Sequence, residues 1–446
     1  MIGAGTGWRL TAARRLAAAA GALGIAGLLL RPVPIHARPP SFDQVVARLS
    51  SPNAGDRLGA LDLLREAGYP QAEVPVAPLL TDPVPEVRLA AIATEMNCML
   101  AEKLVARSHV GLVVEVRHRV DAAAAFDKGL LALQPQPLPA PVASGLLAAA
   151  GDRQDDVALE AVYGLGVVGP LATGAARDRL WQQTEPRLLA MIASRAASTR
   201  RAGLRVLARL ADRYGAAAPR GGQAVDDPVV AAMNDTDAGV RAAAVAALGA
   251  LRSDRAVQAL TERFHYYTRG PAAEAALDAL ARIAYPASLP LFESLTGARD
   301  PGVRAIAVEG IARLSDAAQV DALLRRLNAE RSNRVNLALD FAVARTGRTA
   351  SLGPFVTALA SPALRGAAAR DLLELTATGH AGAAAWQQAL QTPDAAARLL
   401  AVRILGLAGD AALSRVLQPL AGTGDNTALA ASARQAIARL QAVPAP

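Results

Sequence analysis

The chain is poor in several things a compact enzyme usually carries. It has one cysteine, Cys98, so no disulfide can form within it. Aromatic residues make up only 3% of its 446 residues. Only two lysines occur, Lys103 and Lys128, so the basic residues are almost all arginine. Its five histidines form no HExxH motif and no cluster with cysteine. There is no GxGxxG, no Walker-type loop and no GxSxG. These gaps remove the usual signatures of zinc, nucleotide and serine-hydrolase chemistry. No cofactor, metal ligand or catalytic residue is assigned, and the chain reads as non-enzymatic.

What is present is apolar and small. Hydrophobic residues reach 52%, which excludes a disordered chain. A core of Ala, Leu and Val with few rings suits thin helices packed closely. The formal charge of +8 is partly local, since Arg9, Arg14, Arg15 and Arg31 lie in the first 37 residues, which hold no acid. The balance elsewhere is too even to argue for nucleic acid as a partner.

Residues 1–37 read as a signal peptide or membrane anchor. A basic stretch precedes Leu16–Leu30, an uncharged run about 22 Å long as a helix, and Ala37 suits cleavage. The expectation is an exported protein, periplasmic or anchored in the inner membrane, touching the membrane only through this segment.

Internal repetition sets the fold. Pairs of apolar residues eight apart recur as Val240/Leu248, Ala272/Leu280, Val303/Ile311, Val335/Val343, Leu364/Leu372, Ala397/Leu405 and Leu429/Ile437. The second members are spaced by 32, 31, 32, 29, 33 and 32 residues. Each unit opens with a capping residue, often followed by proline as in Asp82-Pro83 and Asp300-Pro301. An alanine-rich helix follows, then a break, then a second apolar helix. One such pair cannot bury its own face, whereas a stack can.

The runs Asp82–Arg88 (D-P-x-x-x-V-R) and Val240–Leu248 (V-R-x-x-A-x-x-A-L) resemble HEAT repeats, and most closely the short repeats of phycobilisome-lyase-like proteins. The resemblance implies an all-α, right-handed α-solenoid of about ten helical pairs, with second helices lining the concave face. It also implies that the repeated arginines Arg88, Arg241, Arg304, Arg365 and Arg398 meet acids of adjoining repeats. The expected organisation is a leader over 1–37, repeats over 41–133, a proline-rich linker over 134–142, the main array over 143–440 and a tail over 441–446. The segment 101–133 is expected to be helical, 215–224 a surface loop, and Gly164, Gly166 and Gly169 to mark helix breaks.

One local patch departs from the composition. Arg263, Phe264, His265, Tyr266, Tyr267 and Arg269 gather three rings and two guanidiniums within seven residues. These residue types carry interface energy, although Phe264 and one tyrosine could equally fill the core between repeats. The functional expectation is a scaffold binding a protein or peptide over its concave face. Alternatives from other classes are a lyase-like or accessory factor of an enzyme, and a nucleic-acid-binding HEAT protein.

Overall fold

The computed structural model describes residues 40–67, 70–101, 121–212, 222–347, 351–408, 411–422 and 427–442. The leader, most of the 101–133 segment, residues 215–221 of the expected loop and the last residues of the tail lie outside them. Among the described residues there are 23 α-helices and no strand, only a single bridge between Leu100 and Leu133. Phe42–Pro446 forms one unit.

The expected pairing of helices is present, and its two layers differ in composition for a physical reason. Helices bearing the apolar signature follow one another in contact along the whole chain: Ala54–Ala67, Pro85–Met99, Asp155–Val168, Ala197–Ala211, Ala238–Leu251, Pro271–Ile283, Pro301–Leu314, Asn333–Arg345, Arg365–Ala377, Ala395–Ala408 and Ala428–Gln441. Helix Pro301–Leu314 is buried without interruption from Ala305 to Ala312. The second helices are amphipathic; Ala317–Arg326 buries only Val320 and Leu323. A helix packed on all sides must be apolar around its circumference, whereas one that caps a layer needs a single stripe.

Curvature assigns the faces opposite to expectation. The signature helices crowd together and reach across the array, while successive second helices from Gln223–Ala232 to Gly353–Ala360 scarcely touch. The first helices therefore line the concave side and the second helices the convex side. Alanine and glycine make this crowding possible: a Cβ on Gly249 would stand 2.9 Å from Ala279 Cα in the next signature helix. Gly164 and Gly166 lie inside helix Asp155–Val168 rather than at a break. A Cβ on Gly166 would come within 2.7 Å of Phe126, so close packing explains that glycine.

The capping grammar holds at some helix starts and not at others: Asp300-Pro301 opens its helix, whereas after Asp82-Pro83 the helix begins only at Pro85, and Asp82 accepts from the Val84 amide at 2.9 Å. Asp237 accepts from the amide of Val240 at 2.9 Å, Asp300 from Gly302 at 2.7 Å and Asp394 from Ala397 at 2.9 Å. The signature arginines clamp these turns. Arg88, Arg241 and Arg304 each donate to the carbonyl six residues back, those of Asp82, Asp235 and Ala298, at 2.6–2.8 Å. Arg88 also pairs with Asp152 at 2.6 Å and Arg304 with Glu330 at 2.8 Å, joining adjoining repeats. Arg304, with the amides of Ser332 and Arg331, holds the Glu330 carboxyl down to about 2.

The proline-rich stretch expected as a linker is extended, as proline dictates, and packed. The amide of Gln134 donates to Met99 O at 2.9 Å, and the buried Gln136 side chain donates to the Glu73 carboxylate and, at 3.1 Å, to Met99 Sδ. Cys98 is buried, and its thiol is pushed above the ordinary range by desolvation, then by Glu95 and Glu73. No helix among the described residues is long and apolar enough to cross a membrane.

Candidate functional site

The six residues singled out in the sequence separate into three environments at the end of the convex helix Val257–Tyr267. Phe264 is buried. Arg263 and Tyr267 are half-buried: Arg263 donates to Met233 O at 2.9 Å and lies 5.4 Å from the centre of the Tyr267 ring. His265, Tyr266 and Arg269 are exposed. Tyr266, 80% accessible, meets Tyr267 edge-on with centroids 5.1 Å apart. The chain turns here through Thr268 (φ +58°) and Gly270 (φ +85°), which fixes the helix end beside the rings.

The concave side carries a second set of charged residues, which lie two positions after the second apolar signature residue. That position holds Arg209, Arg282, Arg313, Arg345, Glu374 and Arg439 in six repeats. Because every repeat presents this position to the interior, the arginines converge there. Arg313 bonds Glu374 through Nε at 3.0 Å and Nη2 at 2.9 Å, and approaches Glu309 at 3.3 Å. Arg345 reaches the same Glu374 at 3.2 Å. Phe341 lies beneath both guanidiniums, its ring centre 4.8 Å from Arg313 and 5.9 Å from Arg345. Arg282 pairs with Asp212 at 2.6 Å.

Burial alone would raise the Glu374 carboxyl, but Arg313, with Arg345 and Arg252, outweighs it and holds the group below its ordinary pKa. Asp371 is the opposite case. It is buried, neither carboxyl oxygen has a hydrogen-bond partner, and desolvation with nearby Glu309 raises it well above the usual carboxylate range. Arg252 caps its helix in the left-handed conformation; desolvation lowers its pKa, and Arg313 and Arg282 add to the lowering.

Contacts of this kind cross several repeats. Arg370 stands 3.8 Å from Asp278, and Arg334 4.0 Å from Glu274. Arg403 donates to Leu131 O at 3.0 Å, and Arg439 to Leu171 O at 3.1 Å. The concave side is thus filled largely by the protein's own side chains, with cavities left between the two limbs. The aromatic patch and the concave arginines are not brought together: one lies on a convex helix, the others inside the curve. Among the described residues no group of three or more His, Cys, Asp or Glu is placed to hold a metal.

Residues 185–276 and 270–342 match a family model described as HEAT repeats, so this stretch is similar in sequence to HEAT repeats. No curated protein matches the chain. Solved structures similar to it include an engineered protein at 16% identity and TM-score 0.38, covering 90% of this chain and 98% of that one. A designed armadillo repeat protein matches at 18% identity and TM-score 0.36, covering 62% and 100%. Another, in complex with the peptide (KR)4, matches at 16% identity and TM-score 0.35, covering 61% and 98%.

Proposed function

We propose that the chain is a non-enzymatic scaffold that binds a protein or peptide, and that its docking surface is the convex end of helix Val257–Tyr267. The observation that carries this is Tyr266, an aromatic ring left 80% accessible in a chain that buries most of its large side chains. Tyrosine offers a large contact area with few torsions to freeze, and Arg269 and His265 beside it supply a polar rim. The concave face, expected as the contact surface, is a weaker choice because Arg313, Glu374, Arg403 and Arg439 already bridge it. The repeat spacing of 29–33 residues supports the short HEAT subclass, and residues 1–37 support an address in the bacterial cell envelope.

The test is crosslinked capture of the natively expressed protein, wild type beside Tyr266→Ala. The expected result is a partner recovered with the wild type and lost with the variant, whose melting temperature is unchanged. Equal recovery by both would move the surface elsewhere. N-terminal sequencing of the captured protein reads the envelope address: a start near residue 38 supports cleavage, and an intact leader in the cytosol opposes it.

A further inference from the structure

A cavity lies where the helices Arg365–Ala377 and Ala395–Ala408 face the segment Lys128–Ala132 and the end of helix Ala197–Ala211. Its volume, about 580 Å³, is in the range that accommodates small organic ligands. The charged residues in its wall are Lys128, Arg209, Arg365, Arg370 and Arg403 against one carboxylate, Asp212. That carboxylate is already taken by Arg282 at 2.6 Å. Between the cations the wall is apolar, with Leu130, Leu131, Leu373 and Leu400.

Arg370 stands 3.8 Å from Asp278, whereas Arg209 and Arg365 bond backbone carbonyls, which supply hydrogen bonding but little neutralisation. Arg365 donates to Leu359 O at 2.8 Å, Arg403 to Leu131 O at 3.0 Å, and Arg209 to Phe126 O at 3.3 Å. Carbonyls satisfy N–H groups while leaving the positive charge in place. Arg209 is fixed further by lying 3.9 Å from the centre of the Phe126 ring. Desolvation, then repulsion from Arg205, draws its pKa down to about 10. Cations gathered along an open cleft with apolar walls focus a positive potential into it. Guanidinium forks are preorganised for phosphate oxygens, and the leucines between them can cover an apolar body.

We propose that this cavity binds a small organic phosphate, its anionic head among Lys128, Arg209 and Arg365 and its apolar part against Leu130, Leu373 and Leu400. The site is separate from the convex aromatic patch and does not depend on it.

Calorimetric titration of the full chain with phenyl phosphate and with inorganic phosphate tests this. The expected result is one site per chain for phenyl phosphate, with inorganic phosphate at least about tenfold weaker because it lacks the apolar body. Raising salt from about 50 to about 200 mM should weaken phenyl phosphate several-fold. Lys128→Glu, at an exposed position that leaves the packing intact, should cost about tenfold or more in affinity with the melting temperature unchanged. Arg209→Gln should also weaken binding, and circular dichroism of each variant checks that it is folded. Absence of binding heat with the folded wild type would overturn the proposal. So would equal affinity for the two phosphates, or full affinity in a folded Lys128→Glu variant.

Discussion

Arg439 and Leu171 stand 268 residues apart in sequence, yet the guanidinium Nε of the first donates to the carbonyl of the second at 3.1 Å. The same side chain donates to Pro170 O at 3.1 Å and to Gly406 O at 2.5 Å, and it is fully buried. Desolvation, with Arg177 nearby, lowers its pKa, and the three carbonyls are what compensate for its burial. A stack of repeats with only neighbour contacts would have its ends independent. Here the last helix holds the turn after helix Asp155–Val168, so the curve is closed by specific bonds.

Removing that side chain should therefore affect the distant limb. Arg439→Ala leaves carbonyls unsatisfied and a cavity behind, at a cost of about 3 kcal/mol in urea unfolding. Hydrogen exchange should accelerate across 130–171 as well as in the last helix. Faster exchange confined to 395–442 would show that the limbs are not coupled.

Gly406 supplies a steric test of the same junction. A Cβ there would lie 2.6 Å from Pro135 Cβ and 2.7 Å from Ala436 Cβ, neither of which can swing away. Gly406→Ala should destabilise by about 1–3 kcal/mol through overpacking. Gly59, mid-helix with nothing within 4 Å of its added Cβ, is the control. Gly59→Ala should stabilise by about 0.5–1 kcal/mol through helix propensity. Thermal melts of the two variants should move in opposite directions.

Glu374 is the acid on which two concave arginines depend. Glu374→Ala leaves Arg313 and Arg345 without this shared partner, and breaking a buried pair from one side costs about 3–5 kcal/mol. Denaturant midpoints measure it. A loss within about 0.5 kcal/mol, the range of ordinary surface substitutions, would mean that water reaches the cluster freely.

Glu73 predicts a dependence on pH. Desolvation raises its pKa to about 7, against a smaller lowering from the Gln136 hydrogen bond. The folded state thus binds a proton that the unfolded state has released, between the unfolded value of 4.5 and about 7. Stability from this group is intact below the lower value and declines as pH rises through the window, by about 3 kcal/mol at most. Glu95 acts in the same direction: it is buried, without a hydrogen-bond partner on either oxygen, and raised by desolvation and by Glu73. Glu73→Gln should flatten much of the slope in unfolding free energy between pH 5 and pH 7. An unaltered slope would exclude Glu73 as its source.

Much of the architecture was legible because it is local. The eight-residue step, the capping aspartates and the arginine after the signature residue are each decided within one repeat, and the structure places them as clamps and caps. The face assignment failed because the same apolar pattern serves either side; curvature is set by how closely alanine and glycine let first helices approach, a property of neighbours. The buried Gln136–Glu73 link was hidden by a proline-rich composition that looks like linker when burial is unseen. The concave arginines did leave a trace, a basic residue two positions after the signature at Arg209, Arg282, Arg313, Arg345 and Arg439, and aligning the repeats by that column would have found them. Their joining with Glu374 and Asp212 could not be read, because it depends on how far the stack turns. At the aromatic patch, the sequence named the residues, and only the helix orientation separated buried Phe264 from exposed Tyr266.

The closed curve is tested most directly by solution X-ray scattering of the unit from Phe42 to Pro446. A compact unit of that length has a radius of gyration of about 22 Å. An open stack of eleven helical pairs, each advancing about 10 Å, would exceed about 30 Å. A value near the first, rising in the Arg439→Ala variant, is the result predicted here. A wild-type value near the second, unchanged by that substitution, would contradict it.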